Sequence, residues 1–230
     1  VSKTIDGKLE GPLFSAILVD ASLLLLFALQ HSIMARPGFK KWWAKFVPVQ
    51  IERSSFVILA SLCLILIMRE WKPVGGTIWS IENEGLKASL NILYLVGWLI
   101  ILASTFLINH FDLFGLRQVW LYFLGKPYVS LPFGIPLFYK LVRHPLYLGF
   151  LVAFWSAPVM TVAHLLFAIV TTSFILTAIQ FEERDLPDHV GDKYRSHKKK
   201  IPMILPFQKS QTKEAAASDR SLSRSNQARA

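Results

Sequence analysis

Cysteine is almost absent from this 230-residue chain: Cys63 stands alone inside an apolar run, which excludes a disulfide scaffold. Charge is scarce as well. Only 17% of residues are Asp, Glu, Lys or Arg, against about a quarter in soluble domains, too few to clothe a water-facing surface. No G-x-G-x-x-G, P-loop or G-x-S-x-G occurs, so soluble nucleotide-binding and hydrolase folds have no local support. No Cys/His cluster has zinc spacing, and no metal site is expected. Hydrophobic residues, at 53%, are what the chain has in abundance. They exclude disorder for most of its length and point to an all-α, polytopic transmembrane helical bundle.

A bilayer core takes about 20 apolar residues per helix. Spans are expected over about Leu13 to Ala35, Ser54 to Met68 and Leu90 to Ile108. A further apolar stretch, Leu146 to Phe181, is interrupted by Ala157-Pro158. Proline lacks the donor N–H and clashes with the preceding helical turn. That stretch therefore reads as a hairpin of two short antiparallel helices, giving about five spans. Residues 1–207 form a single transmembrane domain in this reading, and the polar, aperiodic residues 208–230 a disordered tail.

The net charge of +10 is spread unevenly. Arg36, Lys40, Lys41, Lys45 and Arg53 follow the first span, and Arg117, Lys126, Lys140 and Arg143 follow the third; eleven Lys and Arg follow Phe181. Between the second and third spans, basic and acidic residues cancel. By the positive-inside rule the N-terminus is outside and the C-terminus cytoplasmic. Trp42, Trp43, Trp71, Trp79 and Trp120 fall near the expected interfaces, as an aromatic belt would. The chain opens on Val1 at the outer side without a signal peptide, and a further upstream segment is expected. The basic tail has no interleaved aromatics, so it suits anionic lipid rather than nucleic acid.

The chemistry-bearing residues cluster where the last hairpin enters and leaves the membrane. Entry reads Leu141-Val142-Arg143-His144-Pro145-Leu146-Tyr147-Leu148-Gly149, and exit reads Gln180-Phe181-Glu182-Glu183-Arg184-Asp185-Leu186. A return path of equal rise sets Arg143 and His144 opposite Glu182 and Glu183, with Pro145 suited to the first helical turn. Two readings stay open on spacing alone. One is an ion-pair clamp that merely closes the hairpin. The other is a polar pocket whose carboxylates accept from ammonium or ribose hydroxyls while Arg, His and a helix N-terminus bind a carboxylate.

The string R-H-P-L-Y-L-G, a hydrophobic hairpin, E-E-R-D-L, then Gly191, Tyr194, His197 and Ile201-Pro202-Met203 resembles the C-terminal module of the isoprenylcysteine carboxyl methyltransferase superfamily, over about residues 139–206. Upstream, Ala28-Leu-Gln-His-Ser-Ile-Met-Ala-Arg-Pro37, Glu52-Arg-Ser54 and His110-Phe-Asp-Leu-Phe-Gly-Leu-Arg-Gln118 resemble the bacterial methanethiol S-methyltransferases within it. The resemblance implies an integral enzyme of the bacterial inner membrane. It implies S-adenosylmethionine as methyl donor and a small thiol, methanethiol, as acceptor, giving dimethyl sulfide. It implies that a cytoplasmic C-terminal region binds the cofactor through Arg143, His144, Pro145, Tyr147, Glu182, Glu183, Tyr194 and Arg195. Lys198, Lys199 and Lys200 are expected to be membrane-surface contacts rather than ligands.

Thiol methylation needs a thiolate, and ionisable residues at membrane depth favour a functional role. The candidate proton acceptors are His110 with Asp112 as its orienter, His31 beside Gln30, and Tyr139. Each also has a structural alternative, an interhelical hydrogen bond. Cys63 is expected to pack as a spectator, His164 to be structural, and Asn91 and Asn109 to bond between helices. Asp20, a charge within the first span, is expected to meet an upstream segment or water. The rival functions are methylation of a prenylcysteine carboxylate or phospholipid amine, an NADPH-dependent sterol-type reduction, and a non-enzymatic membrane scaffold.

Overall fold

The computed structural model describes residues 4–9, 11–131, 134 and 136–205, with backbone alone at 187–190, 192 and 193. The expected tail at 208–230 lies outside the described residues. Four helices are long and apolar enough to cross a membrane: α1 (Leu13–Ala35), α3 (Val49–Glu70), α4 (Glu84–Ile108) and the first 25 residues of α8 (Val162–Val190). Short α2 (Pro37–Trp43) joins the first two. The half after α4 holds α5 (His110–Leu113), α6 (Leu116–Phe123), a 3-10 turn (Leu137–Lys140), α7 (Pro145–Trp155) and, after α8, α9 (Asp192–Lys200). The chain is an integral membrane protein.

The hairpin expected over Leu146 to Phe181 is lopsided. Helix α7 has 11 residues, about 16 Å of rise and half a bilayer core, whereas α8 has 29. The turn at Ala157-Pro158 does break the helix. It leads into a strand, β2 (Val159–Thr161), that pairs antiparallel with β1 (Thr77–Ser80). This small sheet departs from the all-α expectation. Its reason is polar satisfaction: Ile81 N–H donates to Pro158 O, Val162 N–H to Gly76 O and the Trp79 indole to Ala157 O, so the break leaves few backbone groups unpaired.

Helices α4 and α7 touch through glycine. A Cβ on Gly97 would stand 2.7 Å from Ala153 N, and one on Gly149 would stand 2.8 Å from Gly97 O. Small residues allow such close approach, which supplies the packing that lipid cannot drive. On the other flank, Ala16 and Leu24 of α1 cluster with Ile67 and Trp71 at the end of α3 and with Ala163 of α8. Trp71 is thus buried in the core and does not belong to the aromatic belt; Trp42, Trp79 and Trp120 are exposed. Asp20 is fully buried in the bundle, and its Oδ1 accepts the Lys72 N–H at 2.8 Å. It meets the backbone just past the end of α3. Exposed Leu25, Ile65, Leu93 and Leu99 face outward, as lipid contacts do.

Candidate active site

Arg143 and His144 precede α7 outside regular structure, and Pro145 at the first helical turn keeps His144 out of the helix. Their backbone N–H groups donate to Pro202 O at 2.9 Å and Met203 O at 3.1 Å. The segment Ile201-Pro202-Met203 therefore holds the Arg-His corner from below, while buried Pro145 opens the helix.

Glu183 fills the centre of this corner. Its Oε1 accepts from His144 Nε2 at 2.8 Å and from the Tyr194 hydroxyl at 2.7 Å; its Oε2 lies 3.0 Å from Arg143 Nη1 and 3.0 Å from Lys198 Nζ. The side chains of Arg143, His144 and Glu183 are all close to nine-tenths buried or more. One carboxylate thus ties together α7, α8 and α9. Burial and the bond to Glu183 push the Tyr194 hydroxyl well above the usual phenol range. Burial and then the Arg143 charge push the His197 imidazole down, favouring its neutral form.

Glu182 is different. Its side chain is 43% exposed, and the Tyr147 hydroxyl lies near it. Tyr139, on the 3-10 turn, lies close enough that burial and then the Glu182 charge raise its pKa. Glu182 Oε2 has no hydrogen-bond partner among the described residues, although His144 Nδ1 stands 3.7 Å away. His144 bonds Glu183 through Nε2, and at 3.7 Å its Nδ1 is too far to bond Glu182. Arg143 Nε is likewise buried without a partner.

The structure therefore brings Arg143, His144, Pro145, Tyr147, Glu182, Glu183, Tyr194 and Tyr139 to one corner. Arg195 is exposed on α9. Lys198, expected at the lipid surface, ion-pairs with Glu183, because α9 folds back over the corner and also offers Lys198 O to Arg143 Nη1 at 3.4 Å. This role had no signal in the sequence, where Lys198 opens an undifferentiated lysine run.

The expected His110–Asp112 pair does not form. Two residues apart on a single turn, the side chains leave α5 on different sides. Asp112 instead binds Arg117 Nη1 at 2.9 Å and the Tyr128 hydroxyl at 3.3 Å. His110 Nδ1 meets Thr105 Oγ1 at 2.9 Å, with its ring stacked on Phe106 at 4.4 Å. Asn109 caps α5 by accepting Asp112 N–H, rather than bridging helices. His31 lies among Phe27, Phe56 and Phe174. His164 is held through Nε2, which donates to Phe154 O at 3.0 Å.

No protein-family model matches the chain, and no solved structure does. Curated relatives do. A methanethiol S-methyltransferase of Crocosphaera subtropica is 52% identical over 205 residues, covering 89% of this chain and 80% of the relative. One of Mycobacterium tuberculosis is 49% identical over 207 residues, covering 90% and 85%. Nurim of Bos taurus is more distant, 32% identical over 176 residues, covering 73% and 66%. With half its residues shared along nine-tenths of its length, this chain is an enzyme of the methyltransferase class and belongs to the methanethiol S-methyltransferase family.

Proposed function

We propose that the chain transfers a methyl group from S-adenosylmethionine to a small thiol, with methanethiol as substrate and dimethyl sulfide as product. The observation that carries this reading is the buried, unbonded carboxylate oxygen Glu182 Oε2, with His144 Nδ1 3.7 Å away. A ligand ammonium supplies the donors that this gap needs. The unpartnered Arg143 Nε and the N-terminus of α7 offer donors to a ligand carboxylate. The residues present thus fit an amino-acid cation.

When bound, S-adenosylmethionine supplies an electrophilic methyl carbon on a sulfonium. The chain supplies the rest. Glu182, His144 and Tyr147 hold the amino end, with Tyr139 against Glu182. Glu183, gripped by Arg143, His144, Tyr194 and Lys198, keeps the corner in place and is a positioning residue. Apolar α7 and α8 exclude water, and orientation of the reactants lowers the barrier by several kcal/mol. Thiol deprotonation needs an acceptor, and His31 and His110 are the two imidazoles of the proper chemistry.

The relatives' names support the thiol substrate. The basic loops after the first and third spans support a cytoplasmic site in a bacterial inner membrane, with lipid as the surrounding partner. The test is calorimetry of the protein in lipid nanodiscs with S-adenosylmethionine and, separately, NADPH, followed by headspace detection of dimethyl sulfide from methanethiol. Binding of the first ligand with dimethyl sulfide release is expected. Binding of NADPH alone would replace this reading with a reductase.

A further inference from the structure

We infer that the aromatic cage around His31 is the acceptor pocket, taking a small uncharged thiol whose proton passes to His31 Nδ1. This deepens the thiol methyltransferase reading and rests on it. Three helices build the cage. The His31 ring centre lies 5.4 Å from Phe27 on α1, 5.0 Å from Phe56 on α3 and 6.0 Å from Phe174 on α8. Inside it, His31 Nδ1 is buried with no hydrogen-bond partner among the described residues, and Gln30 Oε1 is in the same state. Buried polar atoms are costly to leave unbonded, so an unbonded imidazole nitrogen walled by phenyl rings calls for an occupant. The ligand that suits it is apolar, carries one weak donor and gains from sulfur–aromatic contact. A short alkyl thiol has these properties; an alcohol or amine is better solvated and loses more on entering.

Position joins the cage to the donor corner. Phe174 and Glu182 share α8, eight residues or about 12 Å apart. Five residues beyond His31, the Arg36 guanidinium lies 4.2 Å over the Phe181 ring and 3.7 Å from Asp185. Helices α1 and α8 therefore run side by side from the cage to the acidic doublet. Arg53 is the charged group facing the cage, its guanidinium 5.6 Å over the Phe56 ring, and it favours an anionic sulfur. His110 is differently placed. Thr105 gives its hydroxyl proton to Leu102 O, so its oxygen accepts from His110 Nδ1–H. That nitrogen is committed.

The step balances. The S–H proton moves to His31 Nδ1, and the sulfur lone pair forms a bond to the methyl carbon. The bond between that carbon and the donor's sulfonium sulfur breaks, leaving a neutral thioether, and the imidazolium later releases its proton to water.

The test has one arm without any methyl donor. In nanodiscs, donor-free protein labelled with carbon-13 in its histidine rings is titrated with ethanethiol. The resonance that His31→Gln removes is expected to shift and saturate; a shift confined to the His110 resonance overturns the proposal. In turnover with methanethiol, His31→Gln is expected to lose about 100-fold or more in kcat/KM at pH 7, with calorimetric S-adenosylmethionine binding retained. The loss should shrink as rising pH ionises the thiol in solution. Turnover within threefold of wild type with an unchanged pH profile overturns the assignment. Phe174→Ala is expected to shift preference toward propanethiol, and unchanged selectivity also counts against it. Wild-type protein that binds no S-adenosylmethionine defeats the methyltransferase reading instead, which the donor-free titration distinguishes.

Discussion

Glutamates 182 and 183 should separate cleanly into a binding residue and a fastener. Replacing Glu183 with Ala removes the shared partner of Arg143, His144, Tyr194 and Lys198. Lys198 is 43% exposed and regains water, so its contact counts for little. Arg143 and His144 are buried, and stranding buried partners of an ion pair costs about 3–5 kcal/mol. For a chain of this size that lowers Tm by roughly 10 °C. Glu182→Gln removes only the charge of a half-exposed side chain, so its stability cost stays below about 1 kcal/mol. It does remove the carboxylate facing His144 Nδ1. Losing one charge-assisted bond of about 1.5–3 kcal/mol weakens S-adenosylmethionine binding roughly 10- to 100-fold. Thermal unfolding in detergent and calorimetry read the two effects separately. If Glu182→Gln melts early while Glu183→Ala keeps the wild-type Tm and loses the ligand, the roles are reversed and the assignment fails.

Gly149→Val, which drives a side chain against Gly97 O and Ile101, should cost at least about 2 kcal/mol, visible as a lowered Tm or loss of the monodisperse peak in size exclusion. Asp112→Asn should leave the pH profile of turnover where it is, because Asp112 serves Arg117 and Tyr128 and not His110; a displaced profile would restore the pairing. The His197 imidazole is depressed below its usual 6.5, so the folded state resists its protonation. It should cost stability as pH falls below about 6.5, and nothing above that. The Tm of wild type is expected to decline between pH 7 and 5 more steeply than that of His197→Gln; parallel declines would refute the burial argument.

The meeting of the Arg-His corner with the acidic doublet was legible from spacing, although the helices that achieve it are unequal. Helix α7 climbs about 16 Å and the strand Val159–Thr161 adds about 10 Å, against the roughly 32 Å that α8 descends from Val162 to Glu183. Compensation by extended chain carries no hydropathy signal of its own, so two short helices and one short plus one long look alike in sequence. The four-residue strand at Thr77–Ser80 was hidden for a similar reason: its partner lies far along the chain. The His110–Asp112 error came from weighing chemical type without helical angle. The aromatic cage was illegible because Phe27, Phe56 and Phe174 come from three helices, and phenylalanine in an apolar span looks like any other packing residue. Lys198 was missed because nothing in a run of three lysines marks the one that turns inward.

The clasp between β1 and β2 bears on how the chain is made. Trp79 waits for Ala157, 78 residues later, so during synthesis the first strand emerges with bare backbone and no mate. Until the ribosome has delivered residues 159–161, the two halves of the bundle are tied on this side only by helix contacts. Closure of the ribbon is thus a late event in biogenesis, and it fixes the bend before α8 only after the remaining crossings have been delivered to the bilayer.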